Sequence, residues 1–304
     1  MSLQHPIIAV TGSSGAGTST VRTAFEGIFR RHDVTPVYIQ GDSFHRYSRE
    51  EMVEQIRRAQ AEGEVLSHFG PAGNQFDQLE ALFREYGESG TGWRRLYLHN
   101  AEEAARYGGD ASEGEFTPWE RLPEGSDVLF YEGLHGGVVT SEHDIAQHVD
   151  FLVGVTPIVN LEWIQKIHRD AGTRGYAPED TVETIKRRMH DYVEYITPQF
   201  SRTDINFQRV PLVDTSNPFV AHEVPSADES LVVIRFGDAM KAHVDFPYLL
   251  TMLTDSFMSR PNTIVIPGGK LGFAMEMILA PFIRRLIRGE RIREKDSGTA
   301  NERE

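Results

Sequence analysis

The chain has 304 residues, of which 39% are hydrophobic, so it can form one large α/β domain or two small ones and is not a disordered protein. Its net charge of −14 leaves no basic surplus to neutralise a nucleic-acid backbone, so we expect no nucleic-acid partner. The absence of cysteine excludes disulfides, thiol switches and cysteine-bound metals. The first apolar segment begins close to the N-terminus, and no apolar run approaches the roughly 20 residues of a membrane span. We therefore expect a cytoplasmic protein with no membrane partner.

The chain begins with alternating strand and helix patterns. An apolar run predicts a strand at Ile7–Thr11, and apolar residues at helical spacing predict a helix at about Thr18–Arg31. A second strand is expected at Val34–Gln40, and a second helix follows at about Arg49–Glu62. Such alternation indicates a parallel sheet with right-handed crossovers, in which ligands bind beyond the carboxyl ends of the strands.

The remainder of the chain resumes this pattern after an interruption. Residues 63–125 scatter glycine, proline and charged residues among short helical pieces such as Gln78–Tyr86, followed by a loop at Gly87–Gly92. We interpret residues 63–125 as an insertion near the site. Later strands are predicted at Val128–Glu132, Phe151–Thr156, Val210–Asp214, Leu231–Phe236 and Thr263–Ile266, and later helices from about Asn160, at about Glu179–Tyr195 and at about Leu271–Arg288.

A single domain is the economical interpretation, because no linker and no internal repeat interrupts the chain. We expect this domain to span residues 1–288, with an aromatic-rich core segment at Phe246–Phe257 and a charged, disordered tail at 289–304. The predicted fold is α/β, with a parallel or mixed sheet flanked by helices.

The first predicted strand leads into the segment Gly12-Ser13-Ser14-Gly15-Ala16-Gly17-Thr18-Ser19-Thr20, which opens the first helix. This order and spacing fit the phosphate-binding P-loop, in which glycines allow successive backbone N–H groups to face one anion at a helix N-terminus. One position departs from the motif, since Thr18 stands where a lysine is usual. The backbone can still hold the phosphates of ATP and Ser19 can still reach Mg²⁺, but the missing cation must come from elsewhere in the chain.

Two carboxylates end predicted strands on the P-loop edge of the sheet. Glu132 matches a Walker B carboxylate that holds Mg²⁺, although it could instead cap the following segment. Asp42 could accept the proton of an acceptor hydroxyl, although beside a glycine it could also be a plain turn residue. The basic residues behind it favour the catalytic role, because His45, Arg46 and Arg49 could bind a phosphate of the acceptor. For Arg46, a solvated helix face is the alternative.

A third cluster lies on one face of a later helix. Lys166, Arg169 and Asp170 are spaced at i, i+3 and i+4. They could form an ordinary surface ion pair. However, the P-loop lacks its usual lysine, so another segment must supply positive charge to the phosphates. Because a glycine-bearing break follows at Gly172–Pro178, we interpret residues 166–178 as a lid that closes over the phosphates.

Together these segments resemble phosphoribulokinase of the bacterial type, within the P-loop kinases. The resemblance rests on the phosphate loop Gly12–Thr20 and on the segments Gly41-Asp42-Ser43-Phe44-His45-Arg46, Phe130-Tyr131-Glu132-Gly133-Leu134-His135-Gly136 and Asn160-Leu161-Glu162-Trp163-Ile164-Gln165-Lys166-Ile167-His168-Arg169-Asp170. It continues through Val213–Pro218 to the last helix, and Thr18 in place of the lysine is itself a feature of that family.

The resemblance implies ATP- and Mg²⁺-dependent phosphorylation of the 1-hydroxyl of ribulose 5-phosphate, which gives ribulose 1,5-bisphosphate for carbon fixation in the Calvin cycle. It implies that Asp42 is the general base and that Lys166 and Arg169 stabilise the transferred group. It assigns the nucleotide to Gly12, Ser13, Ser14, Gly15, Ala16, Gly17, Thr18, Ser19 and Thr20, the metal to Ser19, Glu132 and Asp170, and the sugar phosphate to His45, Arg49, Tyr97, His99 and Arg174.

Members of the bacterial type are oligomers, typically octamers, that respond to NADH and AMP, so the resemblance implies a homo-oligomer with these effectors. Without cysteine, the disulfide switch of plant-type members is excluded. Two alternatives stay open. One is a uridine-kinase-like enzyme of the same fold, although the cluster from His45 to Arg49 favours an acceptor that already carries phosphate. The other is a non-catalytic nucleotide-binding regulator, which would need no base such as Asp42.

Overall fold

An eight-stranded sheet forms the centre of the molecule. The computed structural model describes residues 5–12, 18–174, 177–221, 223–290 and 292. Its strands are β1 (Ile7–Gly12), β2 (Pro36–Gln40), β3 (Trp93–Arg94), β4 (Glu120–Arg121), β5 (Val128–Gly133), β6 (Phe151–Pro157), β7 (Ile205–Pro211), β8 (Ser230–Phe236), β9 (Phe257–Arg260) and β10 (Thr263–Pro267). The short strands β3 and β4 pair with each other, and the others make up the large sheet.

The large sheet combines a parallel and an antiparallel part. Its order is β2-β5-β1-β6-β7-β8-β10-β9, in which the first five strands are parallel and β8, β10 and β9 run antiparallel to their neighbours. The predicted α/β fold with a parallel or mixed sheet is therefore confirmed. The carboxyl ends of β2, β5 and β1 lie next to one another, and an α/β sheet binds its ligands at such an edge.

Helices cover both faces of this sheet. They are α1 (Thr18–Arg31), α2 (Arg49–Ala61), α3 (Phe76–Ser89), α4 (Ala101–Tyr107), α5 (Val159–Arg174), α6 (Pro178–Asp191), α7 (Gln199–Arg202), α8 (Asp238–Lys241), α9 (Phe246–Met252) and α10 (Leu271–Ile287). Helix α1 has the predicted bounds because Val21, Phe25, Ile28 and Phe29 recur at helical spacing and are all buried. In the described part of the chain, no helix has both the length and the apolar character of a transmembrane segment.

Side chains of the central strands alternate between two cores, one on each face of the sheet. In β1, Ile8 and Val10 belong to a larger core that also contains α1 and α10, whereas Ile7 and Ala9 belong to a smaller core that contains α3. All four side chains are at most 1% exposed. A strand that is covered on both faces has a continuous apolar sequence, which is the pattern that predicted β1.

Two helices continue through glycines at which a break was predicted. Helix α3 passes through Gly87, and the chain turns only at Gly90, whose φ of 71° is the left-handed conformation that glycine adopts easily. Helix α5 passes through Gly172 and ends at Arg174. A glycine inside a helix costs only about 1 kcal/mol relative to alanine, so the surrounding helix tolerates it. Residues 175 and 176 of the predicted break lie outside the described residues.

Strand β7 lies earlier in the chain than predicted. The expected strand at Val210–Asp214 overlaps β7 by only two residues. The strand begins at Ile205 because Ile205 and Phe207 alternate into the larger core, whereas Leu212 is 64% exposed. The later apolar run therefore lies beyond the buried part of the strand.

The segment Phe246–Phe257 is not the continuous core segment that was predicted. Leu249 is buried, but the side chains of Tyr248 and Phe257 are each 53% exposed. The segment spans α9 and the start of β9, which is the outermost strand of the sheet. An edge strand has a partner strand on one side only, so its aromatic side chains can be exposed. Composition does not reveal which strand lies at the edge.

The predicted insertion at 63–125 has two structural parts. Helix α3 packs on the sheet, where Leu79 and Phe83 join the smaller core. The chain from β3 to β4 forms a separate lobe that reaches the carboxyl end of β2. Beyond the predicted domain end at residue 288, Ile292 is buried in the larger core, so packing extends past that boundary. Apart from residues 289, 290 and 292, the predicted tail lies outside the described residues.

Candidate active site

Two glycines bring the carboxyl ends of β2 and β5 into direct backbone contact. A Cβ atom on Gly41 would lie 2.8 Å from the Cα atom of Gly133, and one on Gly133 would lie 2.7 Å from the Cα atom of Gly41. The hydroxyl of Tyr131 packs against both glycines, which closes the remaining space. Asp42 follows Gly41 and Glu132 precedes Gly133, so the two predicted carboxylates lie on either side of this contact.

The loop between β1 and α1 begins at the same edge of the sheet. Gly12 lies against the backbone of β6, where a Cβ atom would collide with the carbonyl oxygen of Val155. Ser13, Ser14, Gly15, Ala16 and Gly17 lie outside the described residues, and Thr18, Ser19 and Thr20 begin α1. The first turn of α1 contains no acidic residue, so its N–H groups meet no competing negative charge from that turn.

Two imidazoles flank the carboxylate of Asp42. Nε2 of His45 lies 3.6 Å from Oδ1 of Asp42, and Nε2 of His99 lies 3.8 Å from Oδ2. Burial lowers the pKa of His45, although the charge of Asp42 opposes this shift. The ring of His45 stacks on that of His68 at a centroid distance of 4.1 Å, and burial lowers the pKa of His68 well below its usual range. His45 and His68 are therefore neutral at pH 7.

A further buried imidazole lies beyond the end of β5. Nε2 of His135 is 3.0 Å from the carbonyl oxygen of Phe69, and because a carbonyl only accepts, Nε2 must carry the ring proton. Burial lowers the pKa of His135 to about 4, so this ring too is neutral at pH 7. No role for His68 or His135 was predicted from the sequence, because burial and ring stacking leave no trace in residue spacing.

The two arginines that follow Asp42 have different partners. Arg46 is exposed, but it lies between β2 and α2 rather than on a helix, and its guanidinium donates to backbone carbonyls, including that of Asn74 at 2.7 Å. Arg49 donates to the carbonyl oxygen of His99 at 2.7 Å and pairs with Glu113 at 3.2 Å. The Arg49 side chain is 45% exposed, so it can present its charge to a ligand.

Tyr97 and His99 come to Asp42 from the lobe between β3 and β4. The ring of Tyr97 packs edge-on against His99 at 4.9 Å and against His45 at 6.1 Å. Nothing in the local sequence near Asp42 predicts this approach. The available signal is the alternation of polar and apolar residues from Arg95 to His99, which is typical of an extended segment with one polar side.

Lys166, Arg169 and Asp170 form a buried ion cluster on α5. Nζ of Lys166 lies 2.5 Å from Oδ2 of Asp170, and Nη2 of Arg169 lies 3.1 Å from Oδ1. The Asp170 side chain is only 4% exposed and that of Lys166 15%, so the alternative of a surface pair is wrong. Burial alone would raise the pKa of Asp170, but the hydrogen bond and the charge of Lys166 lower it. Arg174 ends α5, about two turns beyond Lys166.

Electrostatic contacts connect this cluster with the imidazoles beside Asp42. Arg188 of α6 lies over the ring of Phe69 at 5.7 Å, and its charge adds to burial in lowering the pKa of both His68 and Lys166. The charge of Lys166 likewise contributes to lowering the pKa of His68. Arg188 is a further cation that could not be predicted from the sequence, because its helix shows only an ordinary basic stretch.

Known proteins are similar to this chain over nearly its whole length. The signature of the Phosphoribulokinase / Uridine kinase family matches residues 7–216. A protein of Cupriavidus necator named "Phosphoribulokinase, plasmid" is 58% identical over 288 residues, which cover 94% of this chain and 97% of that protein. A "Probable phosphoribulokinase" of Escherichia coli is 56% identical over 292 residues, with coverages of 96% and 100%. A solved structure of phosphoribulokinase from Rhodobacter spheroides superposes with a TM-score of 0.86 at 52% identity, covering 95% of this chain and 99% of that one.

Proposed function

The chain belongs to the phosphoribulokinase / uridine kinase family, and we propose that it is a phosphoribulokinase, which transfers the terminal phosphoryl group of ATP to the 1-hydroxyl of ribulose 5-phosphate. The observation that carries the proposal is the position of Asp42 beside Glu132, at the strand ends next to the phosphate loop. High identity to proteins of that name supports the substrate, and a regulator that only binds nucleotide would need no carboxylate there.

In this proposal, Asp42 is the general base. Its side chain is 42% exposed, so an acceptor hydroxyl can reach it, and as a carboxylate it can take the hydroxyl proton as the new bond to phosphorus forms. His45 stays neutral and so places no full positive charge next to the base. Such a charge would pair with the carboxylate and weaken it as a proton acceptor.

The residues present fit ATP and Mg²⁺. A helix N-terminus without acidic residues follows β1, and Glu132 and Asp170 offer the carboxylate oxygens that Mg²⁺ prefers, with Ser19 in the first turn of α1. When bound, the metal neutralises charge on the phosphates during transfer. Lys166 and Arg169 hold the carboxylate of Asp170 in place and bring positive charge to the site, which the P-loop lacks at Thr18.

Permanent positive charge strengthens the binding of the acceptor's own phosphate, to which the neutral His45 can contribute only a hydrogen bond. Arg49 is exposed and bonded to the backbone of His99, so we assign the phosphate to this arginine, together with Arg174 from the end of α5. Tyr97 and His99 then line the side of the sugar that faces Asp42.

We also propose the assembly and the effectors that the resemblance implies, an octamer that responds to NADH and AMP. The edge strand β9 supports self-association, because Phe257 is 53% exposed there. Sedimentation velocity of the wild-type protein tests the octamer, and the ribulose 5-phosphate activity with and without each effector tests regulation.

The function is tested by ADP release in a coupled assay with ribulose 5-phosphate, with uridine and without an acceptor. The proposal predicts turnover with ribulose 5-phosphate that exceeds both other reactions by about a hundredfold or more, because uridine lacks the phosphate that Arg49 and Arg174 are assigned to bind. Comparable turnover with uridine would identify a nucleoside kinase instead. Nucleotide binding without turnover on any acceptor would identify a regulator.

A further inference from the structure

Alternate residues of one extended segment face the turn that carries Asp42. Residues 95–99 are hydrogen-bonded through their backbone to a second extended segment of the same lobe. In an extended chain, side chains two residues apart point to the same side. Tyr97 and His99 approach Asp42 from this side, and Arg95 begins the same alternation.

The guanidinium of Arg95 holds the backbone at the C-terminal end of that turn. Nε donates to the carbonyl oxygen of Ser43 at 2.9 Å and Nη2 donates to that of His45 at 2.6 Å. The group lies over the ring of Phe116, 3.6 Å from its centroid, and 5.0 Å from that of Trp119. Burial lowers the pKa of Arg95 to about 10, so it remains protonated at pH 7. Both carbonyls therefore receive charge-assisted hydrogen bonds.

These bonds matter because the carboxylate of Asp42 is held weakly by its own contacts. Its oxygens lie 3.6 Å and 3.8 Å from the nearest imidazole nitrogens, which is longer than a hydrogen bond. The direction of the carboxylate thus depends on the short helical turn Gly41–Phe44 that carries it. Arg95 bonds to two carbonyls of that region, one on either side of the turn's end.

We propose that Arg95 is a positioning residue for phosphoryl transfer, which holds the turn so that Asp42 faces the acceptor hydroxyl. The inference rests on the proposed function, because it concerns the geometry of the proposed base. Arg95 itself contacts backbone and aromatic rings and no reacting atom. Its planar fork bridges two carbonyls at fixed spacing, which the single ammonium of a lysine does not reproduce.

The test compares Arg95→Lys with Arg94→Lys, a matched change at the neighbouring residue. Arg94 pairs with Glu120 at 3.0 Å on the small β3–β4 sheet. For each variant, kcat with ribulose 5-phosphate is measured per nucleotide-binding site, together with the Kd for ATP and the thermal midpoint. Positioning predicts that Arg95→Lys lowers kcat by about tenfold to a hundredfold with an unchanged Kd for ATP, while Arg94→Lys retains kcat, because small displacements of a catalytic group are costly.

A kcat for Arg95→Lys within about threefold of wild type would overturn the assignment, since small losses are within the spread of ordinary surface changes. A loss of ATP binding in proportion to kcat would also overturn it, because that is the result of general misfolding. If Arg95→Lys does not fold, the turnover of Arg95→Ala is measured with and without added guanidinium. Turnover that guanidinium restores supports the positioning role of Arg95, and turnover that it does not restore refutes that role. Wild-type protein without turnover on ribulose 5-phosphate would refute the proposed function, and this assignment with it.

Discussion

Gly41 and Gly133 meet backbone to backbone, so closely that neither position has room for a side chain. This contact sets the spacing between the ends of β2 and β5 and therefore between Asp42 and Glu132, the proposed base and the proposed metal ligand. Because neither glycine has a Cβ atom, the two strand ends and the carboxylates beside them can lie close together. A substitution at either glycine should therefore change the geometry of the site while both carboxylates stay in place.

Gly133→Ala should impair activity while leaving both carboxylates in the protein. Its Cβ atom would lie 2.7 Å from the Cα atom of Gly41, so one strand end must move. We expect kcat to fall at least tenfold and stability to fall by about 1–3 kcal/mol, as for other overpacked sites. Steady-state kinetics and thermal unfolding measure the two effects.

The matched control is Gly87→Ala in α3, where the new Cβ atom would find only the Cδ1 atom of Ile7 at 3.8 Å. This control should keep wild-type kcat and gain up to about 1 kcal/mol, because alanine favours the helix. Equal kinetics for both alanine variants would show that the close approach of β2 and β5 does not matter for the reaction.

Removing a charge from the cluster of Lys166, Arg169 and Asp170 on α5 should impair catalysis with little effect on nucleotide binding. Lys166→Met removes the cation 2.5 Å from Asp170, and we expect kcat to fall by about 10²- to 10³-fold with little change in the Kd for ATP. Stability should fall by about 1–3 kcal/mol, because Asp170 stays buried with Arg169 as its remaining partner in the cluster. Lys186→Met is the control, since Lys186 is 59% exposed and pairs with the exposed Glu183. Activity of Lys166→Met within a few-fold of wild type would leave the missing P-loop cation unexplained.

The buried imidazoles predict a loss of stability in mild acid. The pKa of His135 is lowered by burial to about 4, whereas an unfolded histidine titrates near 6.5, so below pH 6.5 protons bind preferentially to the unfolded chain. The free energy of unfolding should therefore decrease as the pH falls from 6.5 to 4. His45 and His68, whose pKa values are also lowered, contribute in the same direction.

His135→Gln should reduce this decrease by up to about 3 kcal/mol, which is the free energy that corresponds to a shift from 6.5 to 4. Denaturant unfolding at a series of pH values provides the measurement. His190→Gln, which replaces an imidazole that is 73% exposed, should retain the wild-type pH dependence. If His135→Gln loses stability as steeply as wild type, His135 is not held neutral by the fold.

The sequence predicted the helices and strands whose apolar residues follow one clear pattern. Helix α1 has the predicted bounds because its buried residues recur at helical spacing, and β1 is a continuous apolar run covered on both faces. The predictions failed where glycine was taken as a break. In α3 and α5, the helix continues through Gly87 and Gly172, since one glycine costs less than the packing of the helix face provides.

The part of the site that could be predicted consists of motif residues at the ends of strands. Asp42 and Glu132 were assigned from the ends of apolar strands, and the parallel register places them at one edge. The contributions from distant segments were not predictable in the same way. Arg95 lies 50 residues from His45 in the chain and binds its carbonyl, and no spacing rule joins two segments across a sheet edge. The burial of Lys166 with Asp170 likewise needed the packing of α5.

The role of Asp42 as the base is tested most directly by kcat for Asp42→Asn with saturating ATP and ribulose 5-phosphate. Asparagine preserves the size of the side chain but cannot accept the hydroxyl proton, so kcat should fall by about 10²- to 10⁴-fold, the contribution of a positioned base. The Kd for ATP and the thermal midpoint should stay at wild-type values, since Asp42 lies in the turn after β2 and its neighbours there are the imidazoles of His45 and His99. A variant that retains more than about a tenth of wild-type turnover would contradict the role of Asp42 as the base.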